Sequence, residues 1–323
     1  MRSIRCLAVL ILLGSSWVSA QEPFEISVDV PLVSLDVEVL DAAGRPVTTL
    51  AQEDFDIYED GQRRQIRAFG SADTPYSLIL LFDCSDSTAR EWPLLDEAVA
   101  RFSRFQKPQD RVMIAAFGAK VQVIRDWNSR KESKLERQRG VCAGTRFYDA
   151  LRWAIQKQDS AKRRRGIVVL TDGIDNDLPK RLATVGGQRV TQYVESTTDR
   201  AFQRMLRAVK ENRIPFYFVA IGTDVNPGIE ISSYARESVL SDMREMRLRL
   251  EQLADASGGR VIFPKEPQEV IPLYEQIGRE LGTSYSLGFA ANPVPDNKFH
   301  RIEVRLRSGG LELRQSRKGY IQK

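Results

Sequence analysis

The chain has 323 residues, 28% charged and 42% hydrophobic, with a formal net charge of +5. That balance excludes a disordered tail or a set of membrane spans and suits a folded protein of about two domains. The basic clusters, Lys162 to Arg165 and Arg244, Arg247 and Arg249, are short and lack interleaved aromatics, so they read as solvated faces and a strand entry rather than a nucleic-acid surface.

The first twenty residues stand apart. Arg2 and Arg5 make a basic start, Cys6 to Leu13 an apolar core, and Val18-Ser19-Ala20 a small-residue cleavage site. The pattern predicts a secretory signal peptide over 1–20, cut after Ala20 and too short to span a bilayer. No lipobox surrounds Cys6. Losing this segment removes two arginines and no acid, which takes the formal charge from +5 to +3. No other apolar run is long enough for a membrane span. The mature protein is expected to be secreted or periplasmic.

Residues 21–74 read as β structure. Ile26, Val28 and Val30 alternate with polar residues, and so do Val33, Leu35, Val37 and Val39, a period of two that buries one face. Asp41 to Pro46 is a turn. Glu59-Asp60-Gly61 signals a hairpin, with Asp56 to Tyr58 and Gln65 to Phe69 as its flanking strands. Four strands cannot close a core alone.

Residues 75–282 change to alternating apolar strands and amphipathic helices. Strands are expected at 77–82, 111–117, 121–125, 166–171, 215–221 and 260–263, and helices at 92–105, 146–157, 197–212, 241–256 and 267–281. Leu78 to Phe82, Ile167 to Leu170 and Phe216 to Ile221 are nearly continuous apolar runs, as strands covered on both faces require. The fold class is therefore α/β, a doubly wound, mostly parallel, Rossmann-like sheet. Asp224 to Ser241 reads as an irregular surface insertion, and Asp175 to Thr198 as a long irregular loop. Residues 283–323 return to strands at 285–289, 299–306 and 311–314, with a Pro-rich turn from Asn292 to Asn297. Strands left over at both ends predict one immunoglobulin-like sandwich, into which the α/β domain is inserted.

Three loops after strands carry the chemistry. Leu78 to Phe82 runs into Asp83-Cys84-Ser85-Asp86-Ser87; Gly144-Thr145 precedes a helix; Thr171-Asp172-Gly173-Ile174-Asp175 follows Ile167 to Leu170. Carboxylates and hydroxyls are hard oxygen ligands of the kind Mg²⁺ takes. Open α/β sheets place ligand sites at such carboxyl ends.

These residues resemble the von Willebrand factor type A domain and its metal-ion-dependent adhesion site. The match of D-x-S-x-S to Asp83, Ser85 and Ser87, of the second-loop threonine to Thr145 and of the third-loop aspartate to Asp172 implies a metal site of those five residues. The flanks, Asp41 to Val47, Glu53 to Gly61, Gly144 to Ala150 and Arg317 to Tyr320, are similar to a secreted family carrying this domain, described chiefly from acidobacteria. Asp86 and Thr88 depart from that family's usual glycine and methionine. The resemblance implies Mg²⁺, with Mn²⁺ or Ca²⁺ as alternatives, and a protein partner whose Asp or Glu completes the metal shell.

Cys84 and Cys142 remain after cleavage. Export permits a disulfide, but sequence supplies no distance, and two free, part-buried thiols are the expectation. The mature chain holds one histidine, His300, far from Cys84, so no nucleophile–base pair is read and no enzyme is expected. His300 reads as a surface residue, Trp92, Trp127 and Trp153 as packing, Asp149 as facing its helix start, and Asp175 as a solvated loop acid. A scaffold with a structural or vestigial metal is the alternative. A metal-dependent hydrolase would need a general base at Asp86 or Asp175.

Overall fold

The computed structural model describes residues 32–127, 134–159, 163–185, 188–222, 233–291 and 296–322. The signal peptide expected over 1–20 and the strand expected at Ile26 to Val30 lie outside the described residues. In chain order come β1 (Leu32–Leu40), β2 (Phe55–Glu59), β3 (Gln62–Arg64), β4 (Ile66–Gly70), β5 (Tyr76–Asp83), α1 (Trp92–Ser103), β6 (Arg111–Phe117), β7 (Val121–Arg125), α2 (Arg139–Cys142), α3 (Phe147–Lys157) and β8 (Arg164–Thr171). There follow β9 (Lys180–Val185), β10 (Gln188–Tyr193), α4 (Arg200–Asn212), β11 (Phe216–Ala220), α5 (Ser233–Ser257), β12 (Arg260–Ile262) and α6 (Val270–Thr283). The last strands are β13 (Tyr285–Ala290), β14 (Phe299–Leu306), β15 (Glu312–Gln315) and β16 (Gly319–Ile321).

The central sheet runs β12-β11-β8-β5-β6-β7. Every neighbouring pair in it is parallel except β6 with β7. The unbroken apolar run of β5 is explained by its two covered faces. Leu78, Leu80 and Phe82 pack against α1 and α6. Ile79 and Leu81 point the other way, against α3, α4 and α5. All eight β5 residues are buried, and each large apolar side chain so placed contributes roughly 1.5–3 kcal/mol. The chain leaves β5 for β6 on one side and returns to β8 on the other. The carboxyl ends of β5 and β8 therefore frame the point where the strand order reverses, the usual place for a ligand in such sheets.

Both chain ends contribute to two further antiparallel sheets, β15-β1-β13-β4 and β16-β14-β2-β3. Val33, Leu35, Val37 and Val39 of β1 share one buried cluster with Phe55 and Ile57 of β2 and with Tyr285, Leu287, Phe289, Ile302, Val304 and Tyr320. Glu59 lies within that core and is compensated by Arg64 and by the Tyr320 hydroxyl. Where these sheets meet the α/β region, the Tyr217 hydroxyl donates to Asp36. Nearby, the Arg164 guanidinium donates to the carbonyls of Leu281 (2.9 Å) and Ser284 (2.6 Å) at the end of α6, where a cation suits the helix dipole.

Several expectations are corrected. Residues 180–193 form an antiparallel hairpin, Lys180↔Tyr193 to Val185↔Gln188, within the stretch read as irregular. Leu182 stands exposed there, and among the hairpin's described side chains none is buried, so no buried face marks it. α5 begins at Ser233, inside the supposed insertion. From Glu237 onward, its first buried apolar residue is Met246. Earlier turns are held by polar contacts, such as Asp242 accepting from the Tyr193 N–H (2.9 Å), and show no apolar period. The partner of β2 in the Asp60-Gly61 hairpin is β3, whereas β4 crosses to the other sheet beside β13. Arg249, read with a solvated face, is 1% exposed. Its guanidinium binds Asp199 (2.6 Å), Glu245 (2.9 Å) and the Tyr148 hydroxyl (2.9 Å).

Candidate metal centre

Asp83 ends β5 as a fully buried carboxylate. Its Oδ1 accepts from the Ser85 N–H (3.0 Å) and its Oδ2 from the Thr171 hydroxyl at the end of β8 (2.9 Å). The Thr171 oxygen in turn accepts from the Gly173 N–H (3.0 Å), so the first and third loops share one hydrogen-bond chain. Asp83's own carbonyl is held by the Thr88 hydroxyl (2.8 Å) and the Trp92 indole N–H (3.1 Å). Trp92 packs near Phe82, as expected of a packing residue, and also fixes the loop through that bond.

Ser85 and Ser87 present their hydroxyl oxygens 3.0 Å apart. Asp172 lies close enough to Ser87 for that hydroxyl to oppose the rise that burial gives its pKa, and its Oδ1 accepts from the Ile174 N–H (2.9 Å). Asp83, Ser85, Ser87 and Asp172 thus lie together in one cluster. Thr145 enters from the second loop. Its carbonyl accepts from the Asn176 N–H (2.8 Å), which joins the second loop to the third. Its hydroxyl makes no hydrogen bond among the described residues. The turn before it needs glycine: Gly144 has φ +83°, and a Cβ there would sit 2.4 Å from the Asn176 side-chain nitrogen.

The electrostatics are one-sided. Burial, with the neighbouring Asp172 charge second, pushes Asp83 up to about 7. Burial likewise raises Asp172. Glu91, before α1, is buried too. Burial raises it, the Asp172 charge adds a smaller push, and its Oε2 has no hydrogen-bond partner among the described residues. Among the described residues no arginine, lysine or histidine pairs with Asp83 or Asp172. Two buried carboxylates and three hydroxyls without a cationic side chain fit a divalent ion of the Mg²⁺ type, which takes hard oxygen donors and keeps waters.

Asp86 had no direction from the sequence, whereas Asp175, Cys84 and Cys142 behave differently from the sequence reading. Asp86 is fully exposed and pairs with Arg137 (2.8 Å), so it points away from the cluster. Asp175 is buried, not solvated, and accepts from the Tyr148 N–H (3.0 Å) and the Asp177 N–H (2.8 Å), capping α3. Cys84 and Cys142 are joined in a disulfide, their Cα atoms 5.0 Å apart, where free thiols were expected. Arg137 had no sequence signal. It lies in an irregular stretch, yet it donates to the carbonyls of Cys84 (2.9 and 3.1 Å) and Ser85 (3.1 Å). Thr171 was visible in the third-loop motif, but its service to Asp83 depends on strand pairing. Asp149, exposed near the start of α3, pairs with Arg146 and Arg152. His300 sits between Asp60 (2.7 Å) and Asp296 (3.0 Å), remote from the cluster.

Residues 78–174 match the model of the von Willebrand factor type A domain. That stretch, less than a third of the chain, contains Asp83, Ser85, Ser87, Thr145 and Asp172. None of the curated proteins matches the chain. Among solved structures it is similar to a von Willebrand factor type A protein from Catenulispora acidiphila, at 11% identity and TM-score 0.43, over 91% of this chain and 74% of that one. It is also similar to proximal thread matrix protein 1 of the mussel byssus, with a zinc-occupied MIDAS motif, at 11% identity and TM-score 0.43. That match covers 68% of this chain and 48% of the mussel protein. The pilus adhesin SpaC of Lactobacillus rhamnosus GG, in an open conformation, is similar at 8% identity and TM-score 0.45, over 88% of this chain and 46% of the adhesin. The chain spans about half the length of these last two proteins.

Proposed function

We propose that this chain is an exported binding protein, which holds a divalent cation at Asp83, Ser85, Ser87, Thr145 and Asp172 and captures a protein partner through the partner's Asp or Glu. Mg²⁺ is the expected ion, with Mn²⁺ or Ca²⁺ as alternatives. The observation that carries the reading is the pair of buried carboxylates, Asp83 and Asp172, with no cationic side chain on either among the described residues. When bound, the ion offers an electrophilic coordination point that a partner carboxylate can occupy. Asp83 and Asp172 neutralise its charge, the Ser85 and Ser87 hydroxyls supply neighbouring oxygens, and Thr145 adds one from the second loop. Ser87 is the exposed member of the set, so the partner's approach lies on its side.

The proposed organisation is a cleaved signal peptide over 1–20 and a von Willebrand factor type A domain over 75–282. Segments 21–74 and 283–323 form the immunoglobulin-like sandwich around it. No helix among the described residues is long and apolar enough to cross a membrane. The hydrolase reading loses both its candidate bases: Asp86 faces solvent with Arg137, and Asp175 caps α3. In the scaffold alternative the sheets carry the interaction and partner capture is insensitive to chelation.

The test is partner capture by the mature protein in Mg²⁺, in EDTA, and with the Asp83→Ala variant. Capture that needs Mg²⁺ and is lost in a folded Asp83→Ala supports the proposal. Capture unchanged by both treatments refutes it in favour of the scaffold.

A further inference from the structure

The Cys84–Cys142 disulfide joins the two hydroxyl-bearing loops of the metal centre. Cys84 lies between Asp83 and Ser85, and Cys142 stands three residues before Thr145. Both are buried, at 0% and 7% exposure. At the Cys84 end the backbone is fixed on both sides. Its N–H donates to the Phe117 carbonyl (2.8 Å), and its carbonyl accepts from Arg137. At the Cys142 end the N–H donates to the Gln138 carbonyl (2.9 Å) within its own segment, the Val141 carbonyl accepts from the Ala119 N–H (2.7 Å), and Thr145 is tied through its carbonyl to the Asn176 N–H (2.8 Å). Between residues 134 and 145 the only regular element is the four-residue α2. That segment is pressed against the end of β6, where a Cβ on Gly118 would lie 2.3 Å from the Val141 carbonyl. A short irregular segment keeps a side chain in place only as well as its anchors do.

We propose that this disulfide is the positioning element of the metal centre, setting the Thr145 loop against the Asp83-to-Ser87 loop so that hydroxyls from both address one ion. The inference rests on the cation reading above. A staple that served folding alone would have no reason to act on metal affinity. One that positions Thr145 makes that hydroxyl's contribution depend on the bond. Arg137 reaches the same first loop, but from eight residues before Thr145, so it restrains that threonine less directly.

The experiment uses the full mature chain and Mg²⁺ as the probe, with binding by calorimetry and folding by far-UV circular dichroism. Four proteins are compared: wild type, Cys84→Ala/Cys142→Ala, Thr145→Ala and the triple variant. The expected result is about tenfold weaker Mg²⁺ binding in a folded disulfide-free protein. Thr145→Ala should cost affinity in the wild type and about twofold or less without the disulfide, a non-additivity that marks coupling. Equal affinity of wild type and disulfide-free protein overturns the inference and leaves the metal reading standing. Absence of saturable binding in the wild type removes both. If the double variant does not fold, the wild type is titrated before and after reduction with dithiothreitol. Weaker binding by the folded, reduced protein supports the inference. Unchanged affinity, or loss of the fold on reduction as well, overturns it, because a positioning element must be separable from the fold.

Discussion

Buried charge is treated in opposite ways in two parts of this molecule. Beneath α5, Arg249 is enclosed by Asp199, Glu245 and Tyr148, and in the terminal sheets Glu59 is met by Arg64 and Tyr320. At the carboxyl edge of the central sheet, Asp83 and Asp172 meet hydroxyls, backbone N–H groups and each other. A buried ion pair is self-sufficient, whereas a buried pair of like charges stands at a cost that an external cation can remove. On the proposed function, the difference separates charge that serves the fold from charge that serves a ligand.

The comparison can be broken by removing one member on each side. Arg249→Leu strands Asp199, which also caps α4 through the Ala201 and Phe202 N–H groups. A destabilisation of about 3–5 kcal/mol in urea unfolding is expected, with or without Mg²⁺. Cutting the Cys84–Cys142 staple should cost about 2–4 kcal/mol, since it frees a long loop in the unfolded chain. Asp172→Asn should do the reverse of Arg249→Leu. In EDTA it relieves the like-charge pair and raises stability by about 1 kcal/mol. In saturating Mg²⁺ the wild type overtakes it, and thermal melts in the two buffers read the crossover.

The same pair sets a pH dependence. Asp83 is raised in the folded protein, so the folded state holds a proton that the unfolded chain releases near pH 4. In EDTA this contribution to stability is fully present below about pH 4 and is lost as pH rises through about 7. Mg²⁺ should flatten that decline, and its affinity should rise over the same window. The smallest effect belongs to His300, which Asp296 and Asp60 raise above its usual value. Its contribution is present below its unfolded pKa and fades as pH rises through the raised one. His300→Gln should remove that slope without altering Mg²⁺ binding.

The sequence was most legible where period and burial agree. Strand β5, with two covered faces, reads directly as an apolar run, and Asp83 at its end follows from that register. The alternation of Val33 to Val39 likewise marks one buried face. Legibility failed where side chains compensate one another across distant segments. Arg249 looks like any helix-surface arginine until Asp199 and Tyr148 fold onto it. Asp175 looks solvated until α3 presents the Tyr148 N–H. The disulfide depends on a Cα separation that spacing along the chain does not encode, and the β9–β10 hairpin has no buried face among its described side chains to betray it. Of the candidate site, the five oxygen-bearing residues could be named from the motif, whereas Arg137 and Thr171 act through contacts visible only in three dimensions.

The central claim is that Asp83 and Asp172 hold a divalent cation which the protein takes from solution. The most direct measurement is calorimetric titration of the chelated, mature protein with Mg²⁺, beside Asp83→Ala. Saturable binding by the wild type, absent from the folded variant, is the predicted result. A wild type that takes up no Mg²⁺, or a variant that binds it equally well, would contradict the account.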